Sequence, residues 1–276
     1  MFRGFYTAAS GMLAQQRRTE MLTNNLANMN TPGFKADESS LRAFPELLLS
    51  RLDGQQPIAN RKLPQPMASL VGGLNTGVYV QDIAPLFHQG DLQQTELSTD
   101  IALVDLNIPT TNEGSPSTVL FTVEGPNGGV QYTRNGNFTL DGAGYLTMAN
   151  GQYVLSADGN RIQLTNDEFI VDNDGWINQN GATVARLGVA YAENPLLLAK
   201  RDNGTYELDN GTLPSAYDNE NIAFQTKQGY IERSNVDPQK AMTELLTAYR
   251  SFEANQKVLQ AYDRSMDKAV NEVGRL

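Results

Sequence analysis

The sequence contains no cysteine and only one histidine, His88. The lack of cysteine excludes disulfide bonds, thiol nucleophiles and cysteine-ligated metal sites. A single histidine cannot supply an HExxH pair or a histidine-rich metal cluster. The phosphate-binding glycine loop, the dinucleotide fingerprint and the GxSxG motif are also missing. These absences remove the commonest catalytic, metal-binding and nucleotide-binding motifs, and we predict no metal site and no cofactor.

Long apolar runs are lacking too. The chain contains no run of 18 apolar residues, which predicts no integral membrane segment. The first 18 residues, MFRGFYTAASGMLAQQRR, are amphipathic and lack the apolar core of a Sec signal peptide. If the protein leaves the cytosol, we expect it to use another route.

The net charge of −10 argues against nucleic-acid binding. Its distribution is uneven along the 276 residues. Residues 1–35 carry a net charge of +3, residues 36–236 carry −13, and residues 237–276 are neutral. The acidic residues therefore lie in the middle of the chain, and the two ends are free of strong mutual repulsion.

Both ends of the chain have the apolar spacing of an amphipathic helix. From Phe2 to Met29, and again after Val236, apolar residues recur every three or four positions. Asp237 is expected to be the N-cap of the second helix, with Pro238 at its first position. No glycine or proline interrupts the pattern from Gln239 to Val273, which gives a rod of roughly 50 Å.

The middle of the chain has a different pattern. Short β-type runs are separated by Asn-Gly and Asp-Gly turns, which predicts successive antiparallel hairpins. The predicted fold is mainly β, with a central antiparallel domain of hairpins flanked by long helices that pack together or against neighbouring subunits. A brief helix is expected to begin near Pro45. The predicted parts are residues 1–35 (N-terminal helix and hinge), 36–76 (extended connector), 77–235 (β-rich domain) and 236–276 (C-terminal helix).

Both helices also carry apolar residues outside their main stripes. Exposing all of them gives more apolar surface than a soluble monomer usually tolerates. The pattern alone leaves two explanations open: the helices cap their own β domain, or each helical pair packs against pairs from other subunits. Head-to-tail contacts that do not close produce an open filament. The off-stripe residues include Phe2, Tyr6, Leu13, Met21, Leu246, Val258 and Val270.

The candidate subunit-interface residues are taken from the stripes of the two helices. They are Phe5, Ala9, Met12, Leu22, Leu26, Leu245, Tyr249, Phe252, Leu259, Tyr262 and Met266.

The segment NNLANMNTPGFK ends the first helix. The residue before a proline is disfavoured in the α region, and Pro-Gly suits the centre of a type II turn. Asn28 or Asn30 is expected to end the helix in the left-handed region. The asparagines are expected to hydrogen-bond to the backbone at the helix end. The candidate hinge residues are Asn24, Asn25, Asn28, Pro32, Gly33 and Phe34.

Several stretches resemble the bacterial flagellar rod and hook protein family. AASGMLAQQRRTEMLTNNLANMNTPGFK is similar to the N-terminal signature of that family, and the SNVD…AYRSFEANQKVLQAYDRSMDKAVNEVG tail to its C-terminal signature. NTGVYVQDIAPLFHQGDLQQT and YTRNGNF match internal family stretches. Within the family, the length and the sequence of these stretches are most similar to those of distal-type rod proteins from Bacillus-type bacteria. One departure is that the Gly-Phe-Phe element usually found after DxAI is missing, so the first strand of the β domain is expected to differ.

The resemblance implies a structural subunit of the flagellar basal-body rod, the axial drive shaft between motor and hook. Such a subunit is not an enzyme and would have no catalytic residues. Its partners would be other rod and hook proteins, copies of itself and the flagellar export apparatus. It would lie in the basal body outside the cytoplasmic membrane, exported without a Sec signal peptide. The terminal helices would line the inner tube, and the hinge would turn the chain towards an outer β domain.

A second function from another class remains open from the residues alone. A secreted β-rich protein with helical caps could bind or hydrolyse carbohydrate. Adjacent acids such as Asp167 and Glu168 could act as the carboxylates of a hydrolase, although scattered surface acids explain them better in so acidic a domain.

Overall fold

The computed structural model describes residues 2–52, 68–110, 117–126, 128–201, 204–219 and 221–273. The chain forms two compact units. Unit 1 comprises Met1–Thr23, Ser39–Ile83 and Met242–Leu276, and unit 2 comprises Asn24–Glu38 and Ala84–Ala241.

Two long helices lie at the ends of the chain, as the apolar spacing predicts. Helix α1 spans Phe2–Ala27, and helix α2 spans Pro238–Lys268 before a π-helical turn at Ala269–Val273. The predicted start of α2 is confirmed, because the Asp237 carboxylate accepts hydrogen bonds from the backbone amides of Gln239 at 2.9 Å and Lys240 at 3.1 Å. Among the described residues, neither helix is long and apolar enough to cross a membrane.

Most of the remaining described chain forms strands. In chain order they are β1 Asp37–Ala43, β2 Leu47–Leu52, β3 Ala68–Leu74, β4 Val78–Pro85, β5 Leu92–Gln94, β6 Ile101–Asn107, β7 Thr118–Glu124, β8 Val130–Thr133, β9 Phe138–Leu140, β10 Leu146–Met148, β11 Ile170–Val171, β12 Trp176–Gln179, β13 Ala182–Arg186, β14 Val189–Ala192, β15 Leu198–Lys200, β16 Tyr206–Leu208, β17 Ala223–Gln228 and β18 Tyr230–Glu232.

The segment expected to be a connector contains paired strands. β1 pairs with β4, and β2 pairs with β3 in an antiparallel ladder from Leu47–Leu74 to Leu52–Ala68. The prediction of a brief helix from Pro45 is wrong, since residues 47–52 are extended. The Leu-Leu-Leu run is too short for its periodicity to distinguish helix from strand. Residues 53–67 of the predicted connector lie outside the described residues.

Unit 2 is built from antiparallel strands around two clusters of buried apolar residues, of which one is much the larger. Its largest sheet has five strands in the order β14-β7-β8-β16-β15. A three-stranded sheet, β11-β12-β13, and the pairs β9–β10, β6–β17 and β5–β18 complete the unit. The alternating inward residues of these strands form the core, among them Phe121, Phe138 and Ile177, which are fully buried. The prediction of a β-rich middle flanked by helices is confirmed.

Candidate functional site

The hinge segment leaves α1 through a tight turn. The Phe34 amide donates to the Thr31 carbonyl at 3.3 Å, and Gly33 has a φ of +68°, as a type II turn with Pro32 and Gly33 at its centre requires. A Cβ on Gly33 would overlap the backbone of Arg134. Glycine is therefore required here both by the left-handed conformation and by the close approach of a second segment.

The asparagines end the helix by hydrogen bonding and not by a left-handed residue. Neither Asn28 nor Asn30 has a positive φ, so that prediction is wrong. The Asn28 side-chain amide donates to the Asn24 carbonyl at 2.9 Å. Asn25 is buried and forms two bonds with the backbone of Asp37, donating to its carbonyl at 2.8 Å and accepting from its amide at 2.9 Å. Asn25 therefore joins the last turn of α1 to the chain that follows the hinge.

Four charged residues form a cluster beside this turn, which we call the hinge clasp: Lys35, Asp105, Arg134 and Glu232. The Glu232 carboxylate binds the Lys35 ammonium at 2.6 Å and the Arg134 Nε at 2.5 Å. Arg134 also binds Asp105 at 2.8 Å. Lys35, Arg134 and Glu232 are buried, whereas Asp105 is partly exposed. The clasp joins the hinge to β6, to the residue that follows β8 and to β18, the last strand before α2.

Backbone groups complete the coordination of the clasp. Lys35 donates to the His88 carbonyl at 2.8 Å, and the Gly90 amide donates to Glu232 at 2.9 Å. Arg134 donates to the Val119 carbonyl at 2.6 Å. Buried charges are tolerated when they are paired and hydrogen-bonded in this way, and removal of one partner leaves an uncompensated charge.

Burial and the oppositely charged neighbours have opposite effects on the pKa values of the clasp residues Lys35 and Glu232. Burial lowers the pKa of the Lys35 ammonium below its ordinary value, and the neighbouring Arg134 charge adds to that effect, while Glu232 opposes it. Burial alone would raise the pKa of the Glu232 carboxyl, but Arg134 and Lys35 outweigh it and hold that pKa below its ordinary value. Glu232 is therefore the shared counter-ion of both buried cations.

The segment that precedes α2 is bound to the same place. The Gly33 amide donates to the Glu232 carbonyl at 2.8 Å, and the Ala36 amide donates to the Asn235 side chain at 2.7 Å. The Asn235 amide donates in turn to the carbonyls of Leu86 at 2.8 Å and His88 at 3.1 Å. The stretch that follows α1 and the stretch that leads into α2 are thus held side by side within unit 2.

Within unit 1, α1 and α2 run antiparallel and contact each other along a seam. Met21 and Leu22 of α1 pack against Ala248 of α2. Arg18 binds Glu244 at 3.0 Å. Towards the other end of the seam, glycines allow close approach: Gly11 faces Asn255, where an added Cβ would lie 3.0 Å from the amide nitrogen, and Gly4 lies against the Tyr262 ring.

The predicted interface residues fall into three groups. Leu22 is buried in the seam. Tyr249 is exposed. The others are half-buried: Phe5, Ala9, Met12, Leu26, Leu245, Phe252, Leu259, Tyr262 and Met266. On α2 these half-buried positions follow one another at spacings of seven, seven, three and four residues, which keeps them on one side of the helix, as in a helix-pairing seam.

An apolar surface remains on the outer faces of the helices, which we call the outer helix faces. On α2, Met242, Leu246 and Tyr249 follow one another at i, i+4 and i+7 with exposed fractions of 55%, 52% and 57%. Tyr6 and Leu13 are exposed on α1. Of the off-stripe residues, Met21 lies inside the seam instead of on the surface. The outer helix faces consist of Tyr6, Leu13, Met242, Leu246, Tyr249, Val258 and Val270.

Sequence reasoning missed the clasp. Lys35 ends the hinge motif, and Arg134 lies in the YTRNGNF stretch, so both were inside segments that the family resemblance singled out. Glu232 and Asn235 flank the start of the C-terminal signature. Glu232 lies 98 residues from Arg134 and 197 residues from Lys35 in the sequence, and these separations follow no spacing rule. The structure describes no group of three or more potential metal ligands within its ranges.

Three family models match the chain in the expected order. The model described as "Flagella basal body rod protein" matches residues 5–35, "Flagellar hook protein FlgE/F/G D1 domain" matches residues 119–185, and "Flagellar basal body rod FlgEFG protein C-terminal" matches residues 227–272. The first and last of these contain the hinge, the end of β17, β18 and most of α2. The second runs from β7 to β13 in unit 2.

Curated relatives match over the whole length. The chain is 46% identical over 277 residues to the flagellar hook-basal body complex protein FlhO of Bacillus subtilis (strain 168), with 100% of both chains covered. It is 27% identical over 278 residues to the flagellar basal-body rod protein FlgF of Caulobacter vibrioides, again with 100% of both covered. Against the FlgG rod protein of Bacillus subtilis the identity is 27% over 286 residues, covering 98% and 99%. The chain therefore belongs to the flagellar hook-basal body rod protein family.

Proposed function

We propose that this chain is a structural subunit of the flagellar basal-body rod that polymerises through its terminal helices and performs no catalysis. The rod would be the axial drive shaft between motor and hook. The proposal rests on family membership together with the surface of unit 1. The helix seam accounts for most of the predicted stripe, and the outer helix faces are left for neighbours.

The outer helix faces are the single observation that carries the proposal. Met242, Leu246 and Tyr249 form one continuous row on α2, and each is more than half exposed. A row at i, i+4 and i+7 is the side of a helix that another helix covers. Large apolar residues aligned in this way cost free energy in water, so their burial by neighbouring subunits favours a polymer.

The candidate hinge residues are proposed to set the path of the chain at the joint. Gly33 allows the turn and Asn25 holds the chain beyond it. The clasp then binds the outgoing and returning stretches to each other within unit 2. In the polymer this turn would lead from the inner tube of helices towards the outer β unit.

The remaining partners follow from the proposed role. Other rod and hook proteins, and copies of this chain, would cover the outer helix faces. The flagellar export apparatus would carry the chain past the cytoplasmic membrane. Nucleic acid is not expected as a partner, because unit 2 contains most of the acidic residues of a chain with net charge −10.

The test replaces exposed residues only, so that folding is retained. The Leu246→Ser/Tyr249→Ser variant is introduced in the native strain, with Leu196→Ser/Leu197→Ser as a matched control on exposed residues of unit 2. We expect the first variant to be made and exported normally but to give no swimming and no rods in purified basal bodies. The control strain is expected to swim. Normal swimming by the first variant would contradict the proposed interface.

A further inference from the structure

The three-stranded sheet β11-β12-β13 has one face in the core and one in solvent. Val171 and Ile177 point inwards and are buried. Ile170, Trp176 and Val184 are exposed by 68%, 41% and 43%. Trp176 is the only tryptophan of the chain. We call this solvent side the Trp176 face; it consists of Ile170, Trp176, Asn178, Thr183, Val184 and Arg186.

Strand register places these residues on the same side. Ile170 is directly opposite Asn178, and Trp176 is directly opposite Arg186. Positions 176 and 178 share a face because side chains alternate along a strand. A register shift follows Ile177, so that Thr183 and Val184 together lie opposite Asn178 as a β-bulge. The apolar side chains therefore form one surface.

The Trp176 face is held in place before any partner arrives. The Arg186 guanidinium lies 5.1 Å from the centroid of the Trp176 ring and 3.5 Å from that of the Tyr217 ring. Arg186 also donates to the Asp174 carbonyl at 2.9 Å, and Thr183 donates to Asn178 at 2.8 Å. Trp, Tyr and Arg in ordered positions are the typical anchors of protein interfaces, and pre-ordering reduces the entropic cost of binding.

The charges around the face select the partner. Between residues 165 and 186, four exposed acids accompany one base, Arg186, whose charge is stacked on aromatic rings. The acids are Asp167, Glu168, Asp172 and Asp174. A second copy of this face would bring like charges together, which disfavours self-association. The bulge in β13 also protects that edge strand, which favours docking on the face over strand addition.

We propose that the Trp176 face is a docking surface for another protein that presents aliphatic side chains flanked by lysine or arginine. The aliphatic residues would cover Trp176, Ile170 and Val184, and the cations would meet the exposed Asp172 and Asp174 in the turn between β11 and β12. This surface belongs to unit 2 and shares no residue with the outer helix faces. The docking proposal can therefore be wrong while the proposed polymerisation is right, and the reverse.

The test uses the single tryptophan as its own reporter. The full chain is titrated with a synthetic Leu-Val-Leu peptide flanked by lysines, and with the same peptide flanked by glutamates, while Trp176 emission is recorded. We expect a shift of the emission to shorter wavelength with the lysine peptide, weakened by added salt, and binding about tenfold weaker or absent with the glutamate peptide.

Matched variants locate the binding. Ile170→Ser/Val184→Ser retains the tryptophan and all charges and is expected to weaken binding about tenfold, whereas Leu196→Ser/Leu197→Ser leaves it unchanged. Equal binding by all three proteins would overturn the proposal. It would also be overturned if sedimentation showed that the chain self-associates through this face. A shift of Trp176 emission with cellohexaose or chitohexaose instead would assign the face to carbohydrate.

Discussion

Glu232→Gln is the most informative perturbation of the hinge clasp, because it removes one charge and leaves the shape of the side chain. In the native protein the carboxylate binds Lys35 at 2.6 Å and Arg134 at 2.5 Å. After the substitution Arg134 retains Asp105 at 2.8 Å, but Lys35 no longer contacts any carboxylate and has only neutral acceptors such as the His88 carbonyl. One buried ammonium is then without a counter-ion, and we expect a loss of about 3–5 kcal/mol in the free energy of unfolding.

Lys35→Met is the matched partner in a double-mutant cycle. It removes the ammonium that Glu232→Gln leaves without a counter-ion, so the double variant should be more stable than the sum of the single losses by about 2 kcal/mol. Urea unfolding of the full chain, followed by the emission of Trp176, measures all four free energies in unit 2. A loss below about 1 kcal/mol for Glu232→Gln, the value of a surface pair, or strict additivity of the two variants, would refute the reasoning.

Three further predictions concern the same joint. Burial raises the pKa of the Glu232 carboxyl, but the two neighbouring cations outweigh burial and hold this pKa below its ordinary 4.5. The stability that the carboxylate contributes is therefore complete above pH 4.5 and is lost as the pH falls through the lowered pKa. When the free energy of unfolding is measured against pH, Glu232→Gln should lose less stability in acid than the native protein. Gly33→Ala should lose more than about 2 kcal/mol, whereas Gly151→Ala, with a φ of +84° but no neighbouring atom within 4 Å, should lose only about 1 kcal/mol in the same urea assay. Asp237→Ala removes an N-cap and should cost about 1 kcal/mol of helix stability, read as faster amide hydrogen exchange in the first turn of α2.

Local chemistry made some parts of the fold predictable. A cap and a proline at the first helical position define the start of α2, and a Pro-Gly pair defines the turn after α1, since these signals act within four residues. The β2 strand was missed because a run of three leucines has no period of its own. Turn dipeptides indicated hairpins but could not indicate which strands pair, as β17 with β6 shows.

The site was less predictable because its parts are distant in sequence. The stripe rule identified residues such as Phe252 and Leu259, which are half-buried. It could not say which partner covers them, because a helix that packs against one partner within the chain and another outside it shows the same periodicity for both. Met21 illustrates the ambiguity, being off the stripe and yet buried against Ala248. The fold brings together the charged residues of the clasp from distant parts of the sequence. The only sequence signal for them is that Lys35 and Arg134 lie in stretches that resemble the family.

The central claim is that neighbouring subunits cover the outer helix faces, and the absence of native cysteine makes this directly measurable. Leu246→Cys is exposed to a maleimide reagent in the purified chain and in assembled basal bodies, with Leu197→Cys as the exposed control. The account predicts that Leu246→Cys reacts rapidly in the free chain and at least about tenfold more slowly in the basal body, while Leu197→Cys reacts at similar rates in both. Equal reactivity of Leu246→Cys in the two states would contradict it.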